Sequence, residues 1–180
     1  MVQKAAAQND AESQFSLGDM YYKGRGVHKD LAGAVRWCRK AAEQGHEGAQ
    51  CHLGGMYVNG EGVKQNDVEA AKWHRRSADQ GSVEAQYNLG TRYVAGSGVQ
   101  QSYAEAAKWF HKAAEQGNAE AQYNLGAQFA NGIGVKQDVT KALNYFQKAA
   151  RQGSNPAKLG MEQIRRALAA RAALGGSQRV

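Results

Sequence analysis

The chain has 180 residues, of which 42% are hydrophobic, with a single proline (Pro156) and a formal charge of +7 from 23 Lys and Arg against 16 Asp and Glu. That hydrophobic content excludes a disordered chain, and the lack of a long apolar run excludes a membrane-spanning helix. Two cysteines, Cys38 and Cys51, are too few for a disulfide scaffold, and the opening MVQKAAAQND lacks the apolar core of a secretory leader.

A 36-residue period runs through almost the whole chain. Leu17-Gly18 returns as Leu53-Gly54, Leu89-Gly90 and Leu125-Gly126, and Trp37 returns as Trp73, Trp109 and Tyr145. Val27, Val63, Val99 and Val135 keep the same interval, as do Gly45, Gly81, Gly117 and Gly153. A fixed period of this size marks helical units that cannot bury their apolar face alone and so stack into a solenoid. Residues 4–9 align with 40–45 one period later. Residues 1–10 are therefore expected to be the end of a preceding repeat helix, and the chain a piece of a longer array.

Four units are expected across 11–153, at about 11–45, 46–81, 82–117 and 118–153. In the third, Ala85, Leu89 and Tyr93 fall four apart, so a first helix (A) is predicted up to Gly96-Ser97-Gly98. Ser102, with Glu105 three places on, then caps a second helix (B), and Asp30, Asn66 and Asp138 are its equivalents. Helix B should bury Ala106, Trp109, Phe110 and Ala113 and stop at Gly117. Gly18, Gly54, Gly90 and Gly126 sit inside the A helices, where glycine costs about 1 kcal/mol. Close approach of helix B through Ala34, Ala70, Ala106 and Ala142 is the expected reason. A capping helix is predicted at 154–174, on Leu159, Met161, Ile164 and Leu168, with a disordered tail at 175–180.

Chemistry leaves few marks. Cys38, His46, Cys51, His52 and His74 match no zinc spacing, and His74 shares its repeat position with Cys38, Phe110 and Phe146. The G-x-G segments have no Lys-Ser/Thr after them and read as repeat turns, not phosphate loops. No serine has a lysine three residues on, so the nucleophile of β-lactam chemistry is missing. The basic residues fall mainly on the B helices, as Arg36, Arg39, Lys40, Lys72, Arg75 and Arg76 do. They read as wet helix positions, with nucleic-acid binding a weaker use of the charge. No cofactor or metal is expected.

The pattern A-x-x-x-L-G-x-x-Y-x-x-G-x-G-V, an N-cap, then A-x-x-W-x-x-K-A-A-x-x-G resembles the Sel1-like repeat, a relative of the tetratricopeptide repeat. Ala85, Leu89, Gly90, Tyr93, Gly96, Gly98, Val99, Ser102, Ala106, Trp109, Lys112 and Gly117 carry it. The resemblance implies an all-α, right-handed superhelix of helix pairs with the A helices on the concave side. It implies adaptor or scaffold work without catalysis, through a protein or peptide partner, by a monomer. Family habit points to the periplasm or to secretion. Cysteine-paired relatives place their bridge where this chain has Ala42 and Ala49; a Cys38–Cys51 bridge stays geometrically conceivable.

By analogy with tetratricopeptide grooves, the inward positions are Phe15, Asp19 and Tyr22 in the first unit, and His52 and Asn59 in the second. They are Tyr87, Asn88 and Thr91 in the third, Tyr123, Asn124 and Asn131 in the fourth, and Gln163 and Arg166 in the cap. The tyrosines either anchor a partner or pack between helices, and Asn88 and Asn124 either bond a peptide or brace adjacent units. The rival readings are a cell-envelope enzyme acting on peptidoglycan or a β-lactam, and a nucleic-acid binder.

Overall fold

The computed structural model describes Ala6 and residues 9–176, with side chains through Arg171. Residues 1–5, 7 and 8 of the expected preceding helix, and 177–180 of the expected tail, lie outside the described residues; Ala6 is helical and buried. Among the described residues the fold is all-α, with nine helices and no strand. They are α1 (Ala11–Lys23), α2 (Leu31–Glu43), α3 (Glu47–Asn59), α4 (Asp67–Asp79), α5 (Val83–Ala95), α6 (Tyr103–Glu115), α7 (Ala119–Asn131), α8 (Val139–Arg151) and α9 (Asn155–Gly176). The final helix thus takes in Gly175 and Gly176, which the sequence assigned to the tail. No described helix is long and apolar enough to cross a membrane. The chain divides into two compact bodies, residues 1–101 and 102–180.

Each B helix starts on a side chain that satisfies a first-turn amide. Asp30 accepts from the Gly33 N–H at 2.8 Å, Asn66 from Glu69 at 3.1 Å, Ser102 from Glu105 at 3.2 Å and Asp138 from Lys141 at 2.9 Å. A cap of this kind is worth about 1 kcal/mol. Each A helix ends on a left-handed glycine, Gly24, Gly60, Gly96 or Gly132, with φ between 69° and 71°.

In the α1–α2, α3–α4 and α7–α8 pairs the helical glycine is a site of close approach, but its nearest neighbour is not the expected alanine. A Cβ on Gly18 would lie 2.6 Å from the Cys38 sulfur, and one on Gly126 would lie 2.8 Å from the Phe146 ring. The alanine contributes only its carbonyl, Ala34 at 3.4 Å and Ala142 at 3.3 Å. The niche over the glycine therefore receives the variable side chain of helix B, which is Cys38, His74 or Phe146. Cys38 and Cys51 are buried free thiols, not a bridge, and burial pushes both pKa values up to about 12.

Successive units join through backbone. The second glycine of each of the last three turns faces the first residue of the preceding B helix. A Cβ on Gly62 would fall on the Leu31 carbonyl, on Gly98 on that of Asp67, and on Gly134 on that of Tyr103. The sequence reading also missed a buried glutamine ladder. Gln14, Gln50, Gln86 and Gln122 donate to the carbonyls of Ala6, Ala42, Ala78 and Ala114 at 3.0–3.3 Å. These belong to the C-terminal carbonyls that a helix cannot satisfy internally. Gln44, Gln80 and Gln152 donate in turn to Gln14, Gln50 and Gln122 at 2.7–2.9 Å.

One joint is polar. Arg92, 6% exposed, donates from Nε to His74 Nδ1 at 3.2 Å and from Nη1 to Asp67 Oδ1 at 3.0 Å. The ring must therefore be neutral with its proton on Nε2. Burial, then the Arg92 charge, holds the His74 pKa down to about 4.

Two predictions follow from these joints. Gly45 and Gly62 both have positive φ, but a Cβ meets nothing at Gly45. Gly62→Ala should lower stability by about 2 kcal/mol more than Gly45→Ala, read from paired urea or thermal unfolding curves. Between pH 6.5 and 4 the unfolded chain protonates His74 and the folded chain does not. Stability present above pH 6.5 should therefore fall by up to about 3 kcal/mol as pH drops to 4. His74→Phe with Arg92→Gln, which installs the residues standing at 110 and 128, should flatten that loss in melting curves at pH 7.5 and 4.5.

Candidate functional site

The helices α1, α3 and α7 each turn one face to their B partners, α2, α4 and α8, and leave another open. In the first body that face lines an open groove of about 510 Å³ between side chains of α1, α3 and α5 and the turn after α3. Phe15, Asp19 and Tyr22 come from α1, His52 and Asn59 from α3, and Asn88 from α5. The structure brings these six expected residues together. His52 sits edge-on to both aromatic rings, with centroids 6.1 Å from Phe15 and 4.8 Å from Tyr22. The Tyr22 hydroxyl donates to Glu61 at 2.9 Å, and that bond raises its pKa. Burial lowers the His52 pKa, against the carboxylates of Asp19, Glu61 and Glu84.

The groove wall is built by the same local chemistry that starts α3. His46 Nδ1 accepts from the Ala49 N–H at 3.1 Å as the helix cap, so its Nε2 is the donor to Glu12 at 2.9 Å. Its ring lies 4.7 Å from that of Phe15 and orients it. Lys23 pairs with Asp19 at 2.6 Å, an exposed contact worth little by itself.

The floor depends on residues the sequence reading passed over. Gly48 stands where the other units have Glu12, Glu84 and Glu120, and Gly55 where they have Asp19, Thr91 and Ala127. Gly55 has an ordinary helical φ, and a Cβ there would meet nothing within 4 Å. No backbone constraint calls for glycine at this place; the missing side chain is what deepens the groove over α3. Glu47 and Glu61 were missed as well, the latter because its turn was read as a repeat turn alone. The departures from the period were the available signal.

The second body has its own groove of about 470 Å³ between α7, α8 and α9, without an ionised side chain in its lining. Tyr123, Asn131 and Gln163 line it, with the Tyr123 ring centroid 5.7 Å from that of Phe146. Four expected residues lie outside both grooves. Thr91 donates to the Asn88 carbonyl of its own helix at 2.7 Å, and Arg166 pairs with Glu162 on an exposed turn. Tyr87 and Asn124 are half-buried on α5 and α7.

The basic residues of the B helices largely cover aromatic rings. Lys40 lies 4.4 Å from the Trp37 centroid, Arg76 4.7 Å from Trp73, and Lys112 4.0 Å from Trp109. Among the described residues no three His, Cys, Asp or Glu side chains are grouped to hold a metal ion.

The Sel1 repeat family matches at residues 11–46, 48–82, 83–118 and 119–154, and the chain belongs to that family. None of the curated proteins matches it. Among solved structures, a protective antigen of uropathogenic Escherichia coli with an SLR fold is 41% identical over 85% of this chain, with a TM-score of 0.82. A Sel1 repeat protein from Oxalobacter formigenes is 40% identical over 91% of this chain, with a TM-score of 0.83. The chain spans 33% and 47% of those two proteins. Cysteine-rich protein B of Helicobacter pylori is 26% identical over 72% of this chain and 92% of its own length, with a TM-score of 0.56. The fold is thus the all-α repeat solenoid of these proteins, and Sel1 repeats generally mediate protein–protein interaction.

If the missing side chain at Gly55 serves only to open the groove, Gly55→Ala should stabilise the protein by about 0.5–1 kcal/mol, measured as a higher midpoint of thermal or urea unfolding.

Proposed function

We propose that this Sel1 repeat chain is a non-enzymatic interaction module that holds a polypeptide segment of another protein against the uncovered faces of its A helices. The observation that carries the reading is the groove of the first body, where Phe15, Tyr22 and His52 meet over a floor opened by Gly55. Two half-buried aromatic rings and an imidazole offer large contact area with little rotamer entropy to lose, and a preformed helical wall leaves little ordering to be done on binding. Asn59 and Asn88 add amides able both to donate to and accept from a peptide backbone.

The Cys51 thiol, which lines the groove, has its pKa pushed up to about 12 by burial, so it is not a nucleophile near neutral pH. The groove of the second body, apolar around Tyr123, Phe146 and Leu159, extends the same mode of binding with a different selectivity.

The test is a variant that fills the groove without disturbing its walls. Gly55→Leu places an isobutyl group in open space, so helicity by circular dichroism should be unchanged. Proteins captured from the source cells by the wild-type chain should fall at least fivefold with the variant, quantified by mass spectrometry. Unchanged capture would move the interaction to another face.

A further inference from the structure

We propose that the groove of the first body takes a lysine- and arginine-bearing extended segment of a partner protein. The inference rests on the reading above and adds the chemistry of the occupant. Four carboxylates, Asp19, Glu47, Glu61 and Glu84, line this groove against one ammonium, Lys23, in a chain whose formal charge is +7. Lys23 is already paired with Asp19, and Glu47 and Glu84 are exposed and form no ion pair among the described residues. A cationic segment is therefore attracted to this groove and repelled by most of the remaining surface.

The acids do not converge on a point. They come from α1, α3, α5 and the turn after α3, and no three are grouped as a metal site. A row of separated carboxylates suits several cations borne along a chain better than one compact ion. Between them lie the rings of Phe15, Tyr22 and His52, and a phenyl or phenol ring attracts an ammonium or guanidinium as it is desolvated. The space over Gly55 admits the aliphatic stem of such a side chain. The groove of the second body supplies the contrast, since its lining carries no ionised side chain and offers a cation nothing.

The probe is a phage-displayed library of random 12-residue peptides, panned against the full chain at 50 mM salt. Recovered sequences should carry more Lys and Arg than Asp and Glu. Synthetic copies of them should bind at least tenfold more weakly to the Glu47→Gln, Glu61→Gln, Glu84→Gln triple variant, and about fivefold more weakly to the wild type at 300 mM salt. Matched circular dichroism of the triple variant shows that the fold is retained. Neutral or acidic peptides that are lost on Gly55→Leu would overturn the charge assignment and leave the polypeptide reading standing. Basic peptides that bind the triple variant equally well would place the cationic site elsewhere and overturn the proposal. Recovery of no peptide would overturn both. Self-association of the wild type in sedimentation, abolished in the triple variant, would make the occupant a second copy and overturn it too.

Discussion

The contact on which the repeat depends is between backbones. The second glycine of the last three G-x-G turns lies against the first residue of the preceding B helix, Gly62 against Leu31, Gly98 against Asp67 and Gly134 against Tyr103. No side chain fits between them, so the distance from one unit to the next is set by main-chain atoms and cannot drift with composition. The same turn fixes where each A helix ends, through the left-handed residues Gly24, Gly60, Gly96 and Gly132. With unit spacing held this way, α1, α3 and α5 present their uncovered faces in the first body at a constant interval, and a groove can be written on them by side-chain choice alone.

Polar groups buried at these joints make the stacking directional as well as tight. The glutamine ladder gives a second donor to carbonyls at the ends of B helices that already accept from Gly45, Gly81 and Gly117, and it satisfies the buried amides themselves. A slipped register would leave the buried amide unpaired, at a cost of about 1–3 kcal/mol. The His74–Arg92–Asp67 joint is a local exception, since it brings a titratable ring into a niche that elsewhere holds Cys38 or Phe146. It ties the stability of one joint to pH.

The groove itself is a set of departures from the repeat. Gly48 and Gly55 remove side chains that the other units retain, His52 brings an imidazole between two aromatic rings, and Glu61 in the turn is held by Tyr22. Each is affordable because the framework does not use those positions. The cost of helical glycine at 55, about 1 kcal/mol, falls on one turn of α3 and is repaid by no contact inside the chain. Charge follows the same division: cations on the B helices lie over Trp37, Trp73 and Trp109, and carboxylates collect in the groove of the first body.

Sequence alone determined the helix pairs, the N-caps Asp30, Asn66, Ser102 and Asp138, the glycine stops and the family, because each is set by short-range chemistry repeated at a visible period. The resemblance to tetratricopeptide grooves pointed to Phe15, Asp19, Tyr22, His52, Asn59 and Asn88, and these six line the groove of the first body. Only the tertiary structure decided which side chain fills the niche over Gly18 and Gly126, and that Gln14 and its equivalents answer the helix before them. Only there could Gly55 be seen to leave open space rather than to relieve a close contact. The physical reason is the same in each case. A glycine or a glutamine has one appearance in a sequence, and what it does depends on the atoms that a neighbouring helix brings within a few ångströms of it.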